Sequence, residues 1–251
     1  MIAADGKETH NTGKVDSEDI CDARNLSEFN VMSTERGICL SSTRIDEKSN
    51  EIPEMQDVMG KLDYRGCVVT ADEMNTQKET AQAIMEKTHG DYCLALKENH
   101  KTAYHEVKEY FANEGLLKEI MAAAGQYLKE TASETVIREH CITSDIKWFQ
   151  DGKDWEKLCS IGYEKKIITR KRKGDIITEE RYFLCSIKPA AELFAIVVRR
   201  HWHIENCLHW TLDIVFREDR PHSKEKNGIH NLGLMRRFVL FIIKLMKTYY
   251  L

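Results

Sequence analysis

The sequence predicts an α/β (α+β) protein with a mixed sheet flanked by helices, and three observations carry that expectation. Short strand-like runs and helical periodicities follow one another in the order β, β, β, α, β, α, β along the N-terminal part of the chain. From about 131 to 187 the texture becomes strand-like throughout, and helical periodicity returns after Pro189. With only three prolines and no Gly/Ser linker or internal repeat, boundaries must be read from these changes of period.

MIAAD is the first strand-like run and ends in Asp5 as a short strand of about four residues; FNVMST at 29–34 and GICLSSTRI at 37–45 are the next two, separated by the turn-like ERG. SNEIPEMQDVMGKLD repeats Ile52, Met55, Val58, Met59 and Leu62 at helical spacing behind a candidate Ser49 cap. GCVVTAD reads as a buried strand ending in Asp72, and TQKETAQAIMEKT as a helix opened by Thr76 with Glu79 three residues on, the capping-box pattern. DYCLALK at 91–97 is a strand, followed by helices at 101–112 and 115–129.

ETVIREHCIT, KLCSIGYEKKIIT and ITEERYFLCSI form a β-rich block in which KRKGD turns between the last two strands. The basic run from Lys165 to Asp175 either tracks DNA or is a solvated hairpin tip. AELFAIVVRRHWHIENCLHWTLDIVF then reads as helix, and a final helix covers roughly 228–247. Its stripe of Leu232, Met235, Val239, Ile242, Ile243 and Met246 is expected to pack against the sheet.

Composition narrows the class. A chain of 251 residues, 42% hydrophobic and 31% charged, suits one sizeable domain or one carrying an insertion. The formal net charge of −4 advertises no overall positive field, so nucleic-acid binding would rest on local patches. Eight scattered cysteines without a CxxC pair suggest reduced thiols in a cytosol, and no secretory or membrane-spanning pattern is present. A cytoplasmic protein is expected.

The chemistry is concentrated in acids. Asp5 and Asp72 each end a strand-like run, where ligand sites of α/β sheets gather, although Asp also suits a turn or a helix cap. His201, Glu205 and His209 fall at i, i+4 and i+8 and would form one column on a continuous helix. A zinc site built from that column lacks the HExxH arrangement of a zincin, so the histidines are better read as phosphate contacts or supports. Three converging carboxylates would repel one another unless divalent cations lay between them, and oxygen donors select magnesium or manganese.

The segments VVTADEMNTQKETAQAIMEKTHGDYCLALKENHKT, SIGYEKKIITRKRKGDIITEERYFLCSI and RRHWHIENCLHWTLDIVFRED resemble the corresponding blocks of the H-repeat-associated (Rhs-linked) insertion-sequence transposases. That family is of the DDE type with an RNase H-like core, and the likeness runs over nearly the whole chain. The resemblance implies that Asp5, Asp72 and Glu205 are the catalytic, metal-binding triad holding two Mg2+ or Mn2+ ions. It implies an RNase H-like core at 1–112 and 188–251, interrupted by an insertion at 113–187. Trp202 and Trp210 would help seat the helix that carries Glu205. The implied partner is double-stranded DNA, as transposon ends and target, with Lys97, Arg200 and Asn206 near its phosphates and a homodimer on the paired ends.

The expected activity is metal-dependent strand cleavage at insertion-sequence ends followed by strand transfer. Family members carry a DNA-binding region ahead of the first acid, so a chain with Asp5 near its start is expected to be N-terminally truncated. DGKETHNT and His100 also depart from the family pattern near the site. The alternative is a catalytically silent remnant that binds DNA or a transposase subunit.

Overall fold

A computed structural model describes residues 1–13, 24–45, 51–59, 61–121, 125–131, 133–172, 174–221 and 223–250. Strands β1 (Ile2–Thr9), β2 (Leu26–Ser33) and β3 (Ile38–Arg44) open the chain, followed by helix α1 (Glu51–Met59) and strand β4 (Val68–Ala71). Helix α2 (Lys78–Ala83) runs into a π-helical turn at Ile84–Thr88, strand β5 (Asp91–Leu96) follows, and helices α3 (Lys101–Ala112) and α4 (Glu114–Met121) complete the first part. Then come β6 (Gly125–Glu130), β7 (Glu134–Thr143), β8 (Ser160–Arg170), β9 (Ile176–Cys185), α5 (Ala191–His201), a π-helical turn at Ile204–His209, α6 (Trp210–Ile214) and α7 (Lys226–Tyr250).

Among the described residues, nine strands form one sheet in the order β3-β2-β1-β4-β5-β9-β8-β7-β6. The β1–β4 and β4–β5 pairs are parallel and every other pair is antiparallel, so the sheet is mixed, as expected. β1 lies inside the sheet with both edges bonded. The strands expected as an insertion extend this same sheet, because β9 pairs directly with β5.

Alternation along the strands divides the interior in two. Ile2, Ala4, Phe29, Val31, Val69, Ala71, Leu94 and Leu96 face a core shared with Met55, Val58 and Met59 of α1 and with Ala103, Val107 and Phe111 of α3. The opposite face meets the C-terminal helices: Ala3 and Met32 pack on Ile204, Leu208, Leu212 and Leu240, and Cys93, Ala95, Phe183 and Cys185 pack on Phe194, Val197 and Val198. Gly162 admits α5 to the sheet, since a Cβ there would stand 2.4 Å from the Phe194 ring.

Several expectations are corrected. β1 is eight residues long, so Asp5 sits within a strand and not at its end. Residues 115–129 are not one helix: α4 stops at Met121 and the chain re-enters the sheet as β6. Thr76 does not cap α2; the N-cap is Gln77, and the Thr76 hydroxyl donates instead to the Ala95 carbonyl at 2.6 Å. The Ser49 cap falls outside the described residues. Among the described residues, no helix is long and apolar enough to cross a membrane.

The C-terminal helix reverses its expected facing. Lys226, Ile229, Gly233, Arg237 and Leu240 are buried, whereas Leu232, Met235, Val239, Ile242, Ile243 and Met246 are exposed. The apolar stripe therefore does not pack on the sheet. The inner face is held by polar groups: Lys244 donates to the Gly37 carbonyl, and Arg237 enters a buried ionic cluster on β2.

Candidate active site

Ala3, Asp5 and Lys7 point to one face of β1, and the register puts Met32, Asn30 and Glu28 of β2 directly opposite them. Ala3 packs under the π-helical turn, so Asp5 and Lys7 are carried to the same side as Glu205 and Asp213. Lys7 pairs with Asp213 at 2.7 Å and lies 3.5 Å from Glu218 and 3.6 Å from Asp219. Burial alone would lower its pKa; the Asp213 hydrogen bond and the charges of Glu218, Asp213 and Asp219 outweigh that and raise it.

The helix bearing Glu205 is not continuous. α5 ends at His201, a π-helical turn spans Ile204–His209, and α6 resumes at Trp210. The wider turn brings Ile204, Leu208 and Leu212 onto the sheet and swings both tryptophans outward: Trp202 is 48% and Trp210 56% exposed. The tryptophans therefore do not seat the helix; the three aliphatic residues do. His201 also leaves the expected column, sharing a hydrogen bond with the Thr70 hydroxyl at 3.1 Å.

Asp5, Glu205 and His209 converge, each offering a donor atom within 4.8 Å of the others. His209 Nδ1 lies 3.5 Å from Glu205 Oε1 and 3.9 Å from Asp5 Oδ2. Its hydrogen bond holds the Glu205 carboxyl below the usual range, against the opposing effect of burial. Asp72 is not in this group. It stands one residue past β4, and its Oδ1 accepts from the Asn75 amide N–H at 3.2 Å and the Asn75 side chain at 2.7 Å. Because Ala4 pairs with Ala71 in parallel, Asp5 is the next residue on β1 and Asp72 the first residue beyond β4.

A polar support lies behind the acids. Arg237 Nε donates to Asn30 Oδ1 at 2.8 Å, Nη1 to Glu218 at 2.9 Å and Nη2 to Glu28 at 3.0 Å. With its oxygen so engaged, the Asn30 amide presents Nδ2 to His209 Nε2 at 3.5 Å. Nε2 is then the acceptor, which leaves the ring proton on Nδ1, facing the two carboxylates. Gly233 leaves room for this cluster, since a Cβ there would lie 3.0 Å from Arg237 Nη1. Sequence reading missed Asn30, Glu28 and Arg237; the polar positions alternating along LSEFNVMS are the signal that could have found them.

The three expected phosphate contacts separate. Lys97 pairs with Glu73 at 2.7 Å beside a cavity of about 660 Å³ also lined by Arg138, Lys166, Arg181 and Trp202. Arg181 stacks its guanidinium 5.2 Å from the Trp202 ring. Arg200 instead pairs with Glu35 at 3.1 Å, and Asn206 donates to the Trp202 carbonyl at 2.9 Å. In the basic hairpin, Lys166 and Arg170 pair with Glu179 and Asp175, and Lys171 with Glu130.

A mixed sheet that gathers acids beneath a C-terminal helical turn defines a class in which carboxylates on separate elements share one site. The chain belongs to the transposase DDE domain family, whose sequence profile matches residues 24–242. The match begins beyond Asp5. It is 31% identical over 222 residues to "H repeat-associated putative transposase YhhI" of Escherichia coli K12, covering 86% of this chain and 57% of that one. The protein YbfL of the same strain is 31% identical over 219 residues, again covering 86% of this chain and 57% of the relative. The chain thus spans a little over half the length of these relatives. A solved structure of a piggyBac transposase synaptic complex with hairpin DNA is similar at TM-score 0.49 and 10% identity, over 98% of this chain and 48% of that one.

DDE transposase domains generally use divalent metal ions, and the donor set fits one. Carboxylates of Asp5 and Glu205 that approach this closely repel each other, a cost that a hard cation between them removes.

Proposed function

We propose that this chain is the catalytic part of an insertion-sequence transposase that cleaves DNA strands and joins them to target DNA. Asp5, Asp72 and Glu205 act as the acids, and residues 113–187 form the insertion between the second and third. The observation that carries this reading is the convergence of Asp5 with Glu205, two residues 200 positions apart, while Asp72 follows the paired neighbour strand. Divalent ions held by these carboxylates, Mg2+ or Mn2+ and two in number, would activate the attacking oxygen and stabilise the leaving one.

The protein's own part is orientation. His209 turns its Nδ1–H toward Glu205 and Asp5, holding the Glu205 carboxyl below the usual range and aiming both side chains at one point. Lys97, Arg138, Lys166 and Arg181 line a cavity beside Trp202, three residues from Glu205, where phosphates of double-stranded DNA would run. Arg200 and Asn206 are candidate contacts farther along the same helical segment. The reading further takes the chain to act in a bacterial cytoplasm.

The engagement of Asp72 by Asn75 favours one second reading, a silent relative that binds DNA or a transposase subunit without cutting. A manganese-supported nicking assay on terminal inverted-repeat DNA separates the two. Nicking by the wild type that is lost in Asp72→Asn and Glu205→Gln supports the catalytic reading. Equal activity in all three refutes the assigned acids, and absence of nicking with DNA binding retained supports the silent one.

A further inference from the structure

We propose that Asn30 sets the ion specificity of this site: anchored by Arg237, it bars His209 from ligating the ion and so turns zinc away in favour of cations that bind through oxygen alone. The inference rests on the reading of Asp5 and Glu205 as ion ligands and adds to it a positioning residue, fully buried on β2, that acts through His209.

Distance alone would admit His209 as a third ligand. Donors each about 2.1 Å from one ion stand roughly 3.0–3.4 Å from one another. His209 Nδ1 lies 3.5 Å from Glu205 Oε1 and 3.9 Å from Asp5 Oδ2, so a small shift would close the set. One imidazole and two carboxylates would suit zinc. The far side of the ring decides, because Nδ1 ligates a metal only when the proton of the neutral imidazole sits on Nε2.

That side is closed to a proton. The Asn30 amide is oriented from both ends: Oδ1 accepts from Arg237 Nε at 2.8 Å, and Nδ2 donates to the Glu28 carbonyl at 3.4 Å. A guanidinium cannot accept and a carbonyl cannot donate, so neither contact survives an exchange of the amide's ends. Nδ2 therefore presents a hydrogen to His209 Nε2 at 3.5 Å, and a proton on Nε2 would oppose two donors around a ring that is only 3% exposed. An ion held through oxygens leaves this arrangement intact, whereas zinc gains its nitrogen ligand only by breaking it. Aspartate at position 30 would lift the bar, since one carboxylate oxygen keeps the Arg237 bond while the other accepts Nε2–H.

The test compares wild type with Asn30→Asp. Nitrogen NMR of the ion-free protein, with His209→Gln to assign the signal, should find the His209 proton on Nδ1 in wild type and a proton on Nε2 in Asn30→Asp. Calorimetry should show zinc binding at least about tenfold tighter in Asn30→Asp than in wild type, with a smaller change for manganese. Paramagnetic resonance of manganese bound to wild type should show no nitrogen coupling from His209. An Nε2 proton in wild type, a His209 coupling to bound manganese, or unchanged zinc affinity in folded Asn30→Asp would each overturn the proposal; the two wild-type measurements decide it alone if the variant fails to fold. Manganese binding that is lost in Glu205→Gln, together with a His209 coupling in wild type, would sink the proposal and leave the acids in place. Equal manganese affinity in wild type and Glu205→Gln would remove the acids as ligands, and the proposal with them.

Discussion

Arg237 on α7 donates Nε–H to Asn30 Oδ1 on β2 at 2.8 Å, and this bond fixes which end of the Asn30 amide meets His209. The same guanidinium neutralises Glu28 and Glu218, both 1% exposed. Replacing it by alanine strands two buried carboxylates, a loss of the order of 3–5 kcal/mol, softened here by His230 at Glu28 and Lys7 near Glu218. For a chain of this size about 3 kcal/mol lowers the melting midpoint by roughly 6–12 °C. Circular-dichroism melts of Arg237→Ala check this, and a midpoint within about 2 °C of wild type would remove the network from the stability account.

Ion binding is measurable apart from catalysis. A cation held by Asp5 and Glu205 binds the folded state only, so manganese at about ten times its dissociation constant should add roughly 1.4 kcal/mol and raise the midpoint by about 3–6 °C. Glu205→Gln and Asp5→Asn should abolish the rise. An equal rise in both variants would place the ion elsewhere.

The sheet and most helices were legible because strands alternate and helices repeat in sequence. What was not legible is which way a periodic element faces. The α7 stripe announces an amphipathic helix, but periodicity cannot say that Arg237 and Lys226 turn inward and Met235 outward. The π-helical turn at Ile204–His209 was hidden for a similar reason: it changes the angle per residue without a distinctive residue to mark it, and so it redirected Trp202 and His201. Asp5 ends the strand-like run MIAAD, yet the strand continues through Lys7, whose charge is held among Asp213, Glu218 and Asp219.

DNA contact at the Trp202 cavity, where Glu73, Glu164 and Glu179 pair with Lys97, Arg138, Lys166 and Arg181 in the free protein, predicts a salt signature. Each phosphate neutralised contributes about 0.9 to the slope of log affinity against log salt for duplex DNA. Lys97→Gln and Arg138→Gln should each weaken binding to any duplex and flatten that slope by about one. Fluorescence anisotropy across a salt series reads the slopes, and unchanged slopes in both cavity variants would move the DNA path off this surface.

His201 makes folding sensitive to mild acid. Burial, reinforced by the positive charge of Arg181, lowers its pKa from 6.5 to about 4. The imidazole is therefore neutral in the folded state at pH values where it is protonated in the unfolded chain. Above about pH 6.5 both states carry the neutral ring and the residue adds no pH dependence. As pH falls from about 6.5 to 4 the unfolded state gains the proton first, so stability drops, by at most about 3 kcal/mol. Denaturant titrations of wild type should show this decline across that window, whereas His201→Gln, which keeps a polar partner for Thr70, should be flatter there. Parallel pH profiles for the two proteins would assign the acid sensitivity to other groups.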